Sequence, residues 1–169
     1  IDERTGNIFI GGTFSSVDNV RAYNVAMFDR ARDRWVALRN VGLTWSDDQV
    51  DGYVSAIVVH GRSLYIGGQF RNTRGVGGRN DLGSIAKYDL DTEIWSPLSN
   101  GGLNGPIFSL KFHNDDLYVG GLFTQTNDGN WTGSNNIARY EMANTCTSNC
   151  WQSMSGNGVD GIVNTLETI

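Results

Sequence analysis

Residues 64–70, Leu64-Tyr65-Ile66-Gly67-Gly68-Gln69-Phe70, decide the fold because the chain repeats their pattern twice more. An apolar run leads into two glycines, and the segment ends on a phenylalanine. The same pattern reads IFIGGTF at 8–14 and LYVGGLF at 117–123. The first two copies lie 56 residues apart and the last two lie 53 apart. A regular period of about 50 residues indicates an architecture of repeated supersecondary units.

Three more short segments complete each repeat. The first ends in an aromatic and an acidic residue, and it reads NVAMFD at 24–29, SIAKYD at 84–89 and NIARYE at 136–141. A tryptophan then opens a short run, and a last segment closes the cycle at 53–59, 106–112 and 162–166. Apolar residues alternate with small or polar ones, and Gly, Asn and Asp separate the segments, which is typical of β-strands. Each repeat therefore predicts four antiparallel strands joined by short turns.

The predicted fold is all-β, a β-propeller of four-stranded antiparallel blades, because such repeats cannot bury their faces alone and stack side by side. The repeats span about 1–52, 53–105 and 106–161, and the first strand of a further blade follows them. Closed propellers typically have about four to eight blades. We therefore expect these three blade equivalents to be part of a larger propeller, with further blades of a parent chain or other protein subunits as partners.

Two kinds of residue mark the repeat. Glycine inside a strand costs entropy and packing, so a pair at the same place in each repeat predicts a close approach by a neighbouring blade. Large aromatic side chains at fixed positions predict packing between adjacent sheets rather than ligand stacking. These structural markers are Gly11, Gly12, Gly67, Gly68, Gly120, Gly121, Trp35, Trp95 and Trp151.

The order of these marker residues along the chain resembles the repeat of a known family. An apolar strand ending in Gly-Gly, followed by an aromatic residue and a tryptophan seven positions later, is similar to the kelch propeller repeat. The sequence also looks like the repeats of fungal cortical cell-polarity markers and other repeat-rich surface proteins, at 64–70, 85–89, Trp95 and 105–107. In those families the repeats serve as ectodomain or scaffold modules. The resemblance implies no catalytic residues.

Composition argues against several classes of function. The chain has a net charge of −5 and a pI near 4.8, so it lacks the basic face that nucleic-acid binding requires. No apolar run approaches the length of a membrane span. The carboxylates and the two histidines form no recognisable catalytic or metal-binding pattern, and a zinc site needs about four ligands. We expect no enzyme activity, no metal and no cofactor.

The cysteines and one asparagine favour the secretory route. Cys146 and Cys150 lie in an insertion between the third and fourth strands of the last repeat, where a hairpin can close a local disulfide. Disulfides are typical of compartments outside the cytosol, whereas two free thiols would indicate a cytosolic loop. Asn130-Trp131-Thr132 is an acceptor sequence for an N-linked glycan. Together these features predict an extracellular or cell-surface glycoprotein.

The long loops offer the best candidates for ligand contact, because functional residues concentrate on loops. Aromatic residues among Asn, Asp and Arg suit sugar rings, although local packing of the same side chains is the alternative. The candidate residues are Trp45, Asp47, Asp48, Arg71, Arg74, Arg79 and Trp131.

The leading hypothesis for function is a non-enzymatic extracellular propeller module with a structural or adhesive protein-interaction role in a larger surface protein or assembly. One alternative is a glycan-binding, lectin-like propeller. Another is an intracellular adaptor of kelch type, for which free thiols and an unmodified Asn130 are expected. An enzyme with a site near the propeller axis ranks below these three.

Overall fold

The computed structural model describes residues 1–45, 52–75, 77–142, 146 and 148–168, and they form an all-β protein. Two short 3-10 helices, Arg39–Val41 and Ser99–Gly101, follow the last strands of two repeats. The strands are β1 Ile8–Gly11, β2 Ser16–Val17, β3 Val20–Arg21, β4 Val25–Asp29, β5 Arg34–Ala37, β6 Leu43–Thr44, β7 Tyr53–His60, β8 Ser63–Gln69, β9 Asn72–Thr73, β10 Ile85–Asp89, β11 Trp95–Pro97, β12 Ile107–His113, β13 Asp116–Gly121, β14 Ile137–Tyr140 and β15 Trp151–Ser153.

Three antiparallel sheets correspond to the three repeats. Sheet A has the order β1-β4-β5, sheet B has the order β7-β8-β10-β11, and sheet C has the order β12-β13-β14-β15. Each strand pairs with the next main strand along the chain, so the pairing is local as predicted. Two small ribbons, β2-β3 and β6-β9, lie in the connections, and the second joins the segment after sheet A to the long loop of sheet B.

The predicted strand at 162–166 does not form. This segment belongs to no sheet, because the described residues provide no ladder partner for it. It lies against sheet C instead, where the Val163 N–H donates to the Gly121 carbonyl at 3.1 Å and the Leu166 N–H donates to Ser109 Oγ at 2.8 Å. Sheet A likewise has three strands rather than four.

The double glycines lie where neighbouring segments come closest. A Cβ on Gly67 would meet Ile107 Cγ2 at 2.5 Å, and a Cβ on Gly120 would meet Val163 Cγ1 at 2.5 Å. A Cβ on Gly11 would collide in the same way with Val54. These three contacts fall at equivalent repeat positions. Sheet A therefore packs against sheet B, and sheet B against sheet C, by one recurring contact.

Aromatic pairs join each sheet to the one before it. The rings of Tyr88 and Trp95 lie 4.7 Å apart, and both contact the turn that follows sheet A: Trp95 Nε1 donates to the Arg39 carbonyl at 2.8 Å and the Arg39 N–H donates to the Tyr88 hydroxyl at 3.3 Å. The turn after sheet B is bound in the same manner: the Ser99 N–H donates to the Tyr140 hydroxyl at 3.2 Å, and Trp151 Nε1 donates to the Ser99 carbonyl at 3.0 Å. We call each such set an aromatic clamp.

The buried core runs between the sheets. One cluster joins sheets A and B around Val54, Ile66 and Phe70, and the other joins sheets B and C around Ile85, Ile107 and Phe123. The tryptophans Trp95 and Trp151 are both buried in these clusters. The prediction that the repeated aromatic residues pack between sheets is therefore confirmed for these positions.

Candidate functional site

The long connections of sheets B and C emerge at one end of the sheets. In sheet B, Ile85 pairs with Gly67 and Asp89 pairs with Ser63, so the β8–β10 loop and the β11–β12 loop leave at the end opposite the 60–63 hairpin. Sheet C has the same register, which places its β13–β14 loop at this end too. We call this the loop end of the molecule.

A cavity of about 430 Å³ opens at the loop end. Three connections build its wall, and the side chains that they contribute are amides, carboxylates and one guanidinium. The lining residues are Arg71, Asn80, Asp81, Gly83, Asn100, Gly101, Asn127 and Asp128. We call this space the loop-end cavity.

Asp128 organises one wall of the loop-end cavity. Its Oδ1 accepts hydrogen bonds from the Asn130 N–H at 3.0 Å and from Thr126 Oγ1 at 2.7 Å. Its Oδ2 accepts from the side-chain amides of Asn100 and Asn130, both at 2.8 Å. These donors, with the Asn130 N–H first, stabilise the charged form and hold the pKa of Asp128 at about 2. The carboxylate therefore stays a fixed negative charge at neutral pH.

Asn127 connects the loop of sheet C to the turn after sheet B. Its side-chain amide donates to the carbonyls of Gly101 at 2.6 Å and Leu103 at 3.1 Å, while its N–H donates to the Gly102 carbonyl at 3.1 Å. These bonds fix two loops from different sheets relative to each other. The wall of the cavity is thus preorganised by the protein backbone.

The arginines proposed from the sequence contact partners on this chain. The Arg71 guanidinium lies 5.1 Å from the ring centre of Trp45, and that of Arg74 lies 3.9 Å from the ring centre of Tyr23. Such cation–π contacts stabilise by roughly 0.5–1 kcal/mol at exposed sites. Arg79 forms a two-pronged ion pair with Asp81. Of the three, Arg71 borders the loop-end cavity.

The structure corrects the interpretation of Trp131 as a ligand-facing residue. Its side chain is only 8% exposed and packs 6.1 Å from Trp151 in the core between sheets B and C. Because the indole is buried, a sugar ring cannot stack on it. Burying so large an apolar side chain stabilises the protein more than leaving it exposed on the loop. Asn130 beside it is exposed. Asp47 and Asp48 lie outside the described residues.

The chemistry of the loop-end cavity follows from its side chains. Its polar groups are amide, carboxylate and guanidinium side chains, and Asn100 and Asn127 form hydrogen bonds to residues of a neighbouring loop. Over the described ranges, no group of three His, Cys, Asp or Glu side chains is placed to hold a metal ion. What the arrangement can do is accept and donate hydrogen bonds to a polar ligand or to another protein.

The disulfide lies at the opposite end of sheet C. Cys146 and Cys150 are bonded, with Cα atoms 5.5 Å apart, in the connection between β14 and β15. This confirms the predicted pairing. A second cavity, of about 330 Å³, lies beside it and is lined by Tyr65, Tyr140 and Met142 among others.

Sequence reasoning missed most of the cavity wall, namely Asn80, Asp81, Asn100, Asn127 and Asp128. The candidates on the loops were aromatic residues and arginines, whereas the wall of the loop-end cavity consists mainly of asparagine and aspartate side chains. One signal was available at Asn100-Gly101, a dipeptide typical of turns with positive φ. Asn100 indeed has φ of 61°.

Comparison with known proteins gives a distant relationship to a curated protein. No protein-family model matches the chain. The chain is similar to Polarized growth protein L1 from Phoma sp., with 32% identity over 117 residues. The matched region covers 69% of this chain and 8% of the relative, so the chain spans less than a tenth of the length of the curated relative it matches. No described helix is long and apolar enough to cross a membrane.

Proposed function

We propose that this chain is a non-enzymatic module with a structural or adhesive protein-interaction role in a larger extracellular or surface protein, arranged as a segment of a kelch-type propeller. The observation that carries the proposal is the repeated packing of sheet A on sheet B and sheet B on sheet C through the glycine contacts. An architecture of recurring inter-sheet contacts builds an extended surface, and unpaired sheet edges supply interfaces.

The propeller arrangement is supported by the direction of the contacts. Each clamp reaches from one sheet back to the turn after the preceding sheet, with Trp95 on Arg39 and Trp151 on Ser99. Recurring contacts in one direction are what four-stranded sheets arranged around an axis require. The similarity to Polarized growth protein L1 supports a role in a long protein that takes part in polarised growth.

The extracellular location is supported by the Cys146–Cys150 disulfide and by the exposed Asn130 in its acceptor sequence. Mass spectrometry of native material, with and without reduction and enzymatic deglycosylation, tests this location. We expect the peptide that holds both cysteines to gain two hydrogens on reduction, and Asn130 to carry a glycan that Asn130→Gln abolishes. Free thiols together with an unmodified Asn130 would instead support the intracellular adaptor.

Glycan binding is the second candidate, and the loop-end cavity favours it because amides, carboxylates and a guanidinium pair well with sugar hydroxyls. A glycan array on the recombinant chain tests it. We expect one enriched sugar class, lost in Asn80→Ala at the cavity and retained in Asn164→Ala, an exposed asparagine elsewhere. An array without an enriched class rules this candidate out.

A further inference from the structure

The cavity of about 330 Å³ beside the disulfide lies between sheets B and C, and we call it the disulfide-end cavity. Both of these sheets have four strands. Tyr65 and Lys87 of sheet B face Tyr140 of sheet C across it, and Met142 and the Cys146–Cys150 disulfide border it on one side. Small-molecule sites in proteins have volumes of about 300–1,000 Å³, so the cavity is large enough for a small ligand.

Lys87 lies on the face of sheet B that packs against sheet C. It is directly opposite Tyr65 in the β8–β10 ladder, and Tyr65 shares its face with Gly67, whose Cβ would meet Ile107 of sheet C. The equivalent residue of sheet A, Met27, packs against the core between sheets A and B. A lysine therefore stands between sheets B and C at the position where a methionine fills the space between sheets A and B.

Lys87 is half-buried, and its ammonium group forms no ion pair with any described residue. The carboxylate of Asp89, two residues further on, accepts hydrogen bonds from its own turn. Glu141 borders the cavity, but its carboxylate accepts from Gln152 Nε2 at 3.5 Å, on the face of sheet C that points away from sheet B. Because a charge without a partner is costly to bury, the cavity favours an anion that pairs with Lys87.

The Tyr65 hydroxyl supplies a hydrogen-bond donor beside this cation. Tyr65 is only 2% exposed, and its hydroxyl donates to Met142 Sδ at 3.8 Å. A thioether is a weak acceptor, so a carboxylate oxygen would be a stronger partner for this donor. Burial raises the pKa of Tyr65 to about 12, which keeps the phenol protonated at neutral pH. Leu98, Met142 and the disulfide add apolar surface next to the two polar groups.

We propose that the disulfide-end cavity binds a small carboxylate with an apolar body. Lys87 pairs with the carboxylate, the Tyr65 hydroxyl donates to it, and the apolar body packs against Leu98, Met142 and the disulfide. The cavity lies at the end of sheet C opposite the loop-end cavity, and different residues line the two. The inference therefore goes beyond the proposed function and does not depend on it.

Titration with phenylacetate, followed by the NMR methyl signals of the methionines, tests the proposal. Of the three methionines in the chain, Met142 borders the cavity. We expect phenylacetate to shift the Met142 signal until it saturates and to leave the signals of Met27 and Met154 in place. Phenylacetamide has a similar shape but no charge, and we expect it to bind about tenfold more weakly or less. Equal binding of both probes, a shift of Met154 alone, or no saturable shift of Met142 would overturn the proposal.

Lys87→Met supplies the second measurement, because it gives sheet B the residue that sheet A has at this position and is therefore expected to fold. We expect its affinity for phenylacetate to fall about tenfold or more, with no loss of thermal stability. Lys111→Met is the matched control. It removes the other lysine of the chain, whose Nζ pairs with Glu167 Oε1 at 2.6 Å away from the cavity, and it should bind phenylacetate as the parent does. Equal affinities of Lys87→Met and the parent overturn the inference and leave the proposed function intact.

Discussion

Asn24 and Asn136 show how one side chain can fix a bend in the backbone. Both have φ of 65°, a left-handed conformation that asparagine tolerates better than most residues. Each side-chain oxygen accepts from the N–H of a phenylalanine, Phe14 or Phe123, at 3.1 Å, and each side-chain nitrogen donates to a carbonyl at 2.9 Å. The second repeat has Ser84 here, and Asn127 donates to the corresponding carbonyl of Leu103 instead.

Replacing Asn136 with alanine is expected to lower the free energy of unfolding by about 2 to 3 kcal/mol, because alanine tolerates positive φ less well than asparagine and the buried Phe123 N–H loses its acceptor. Urea unfolding followed by tryptophan fluorescence measures the change. Asn136→Gly relieves the backbone strain but does not restore the hydrogen bonds. Its free energy of unfolding is therefore expected to lie between those of Asn136→Ala and the parent. Equal stability of Asn136→Ala and the parent would contradict this role.

Asp128 is expected to titrate with a midpoint near pH 2 rather than near the ordinary value of about 3.9. The pKa is depressed in the folded state, so the stabilisation that its hydrogen bonds give is present above about pH 4 and is lost as the pH falls toward 2. The carboxyl carbon shift in an NMR titration measures the midpoint. A midpoint close to 4 would show that the four donors do not hold the carboxylate.

For single residues, the sequence predicted the structural role of those that recur in every repeat, but not the role of those that occur once. The glycine pairs and the tryptophans could be located from their spacing alone. Trp131 was misinterpreted because a tryptophan on a polar loop has the same sequence pattern whether it points outward or, as here, into the core. The hydrogen-bond network around Asp128 joins its own loop to Asn100 in a distant turn, and no local sequence pattern predicts such a contact.

At the scale of the strands, the contact between β8 and β12 leaves no room for an added methyl group. Gly67→Ala places a methyl group against Ile107, and we expect it to destabilise the protein by about 1 to 3 kcal/mol. Gly161→Ala is the control, because nothing lies within 4 Å of a Cβ there. Thermal unfolding of both variants makes the comparison. Similar melting temperatures for the two would mean that the sheets separate more easily than this packing indicates.

The strands themselves were largely predictable, since their alternation and their turn residues are local properties. The exception at 162–166 has a physical cause. Its residues have a strand pattern, but a strand also requires a partner that supplies hydrogen bonds along its length. Sequence pattern predicts the propensity of a segment, whereas the presence of a neighbour decides whether a ladder forms.

In the whole molecule, sheet B is the only one of the three main sheets that other described sheets cover on both sides. We expect native-state hydrogen exchange to be slowest in β8 and β10 and fastest in β1, because opening the central sheet must break two sets of inter-sheet contacts. Exchange at pairs such as Ile66 and Ala86, compared with Ile10, measures this gradient. Uniform protection across the three sheets would indicate a single cooperative unit instead.

The loop-end cavity is a property of the whole molecule and could not be predicted from the sequence. Its lining comes from three connections that are distant in sequence and meet only because successive sheets pack in the same direction. The sequence did identify the loops that carry Arg71 and Asn130. It gave no information on their distance from each other, which depends on the inter-sheet geometry.

The aromatic clamp determines when each turn is stabilised during synthesis of the chain. Each anchor is a backbone carbonyl of an earlier turn, and the side chain that binds it is synthesised later. Trp95 follows Arg39 by 56 residues. At a ribosomal rate of about 5–20 residues per second, the turn after sheet A waits roughly 3 to 11 s for its tryptophan. The turns after sheets A and B thus gain their anchoring tryptophan only once the following sheet has been synthesised.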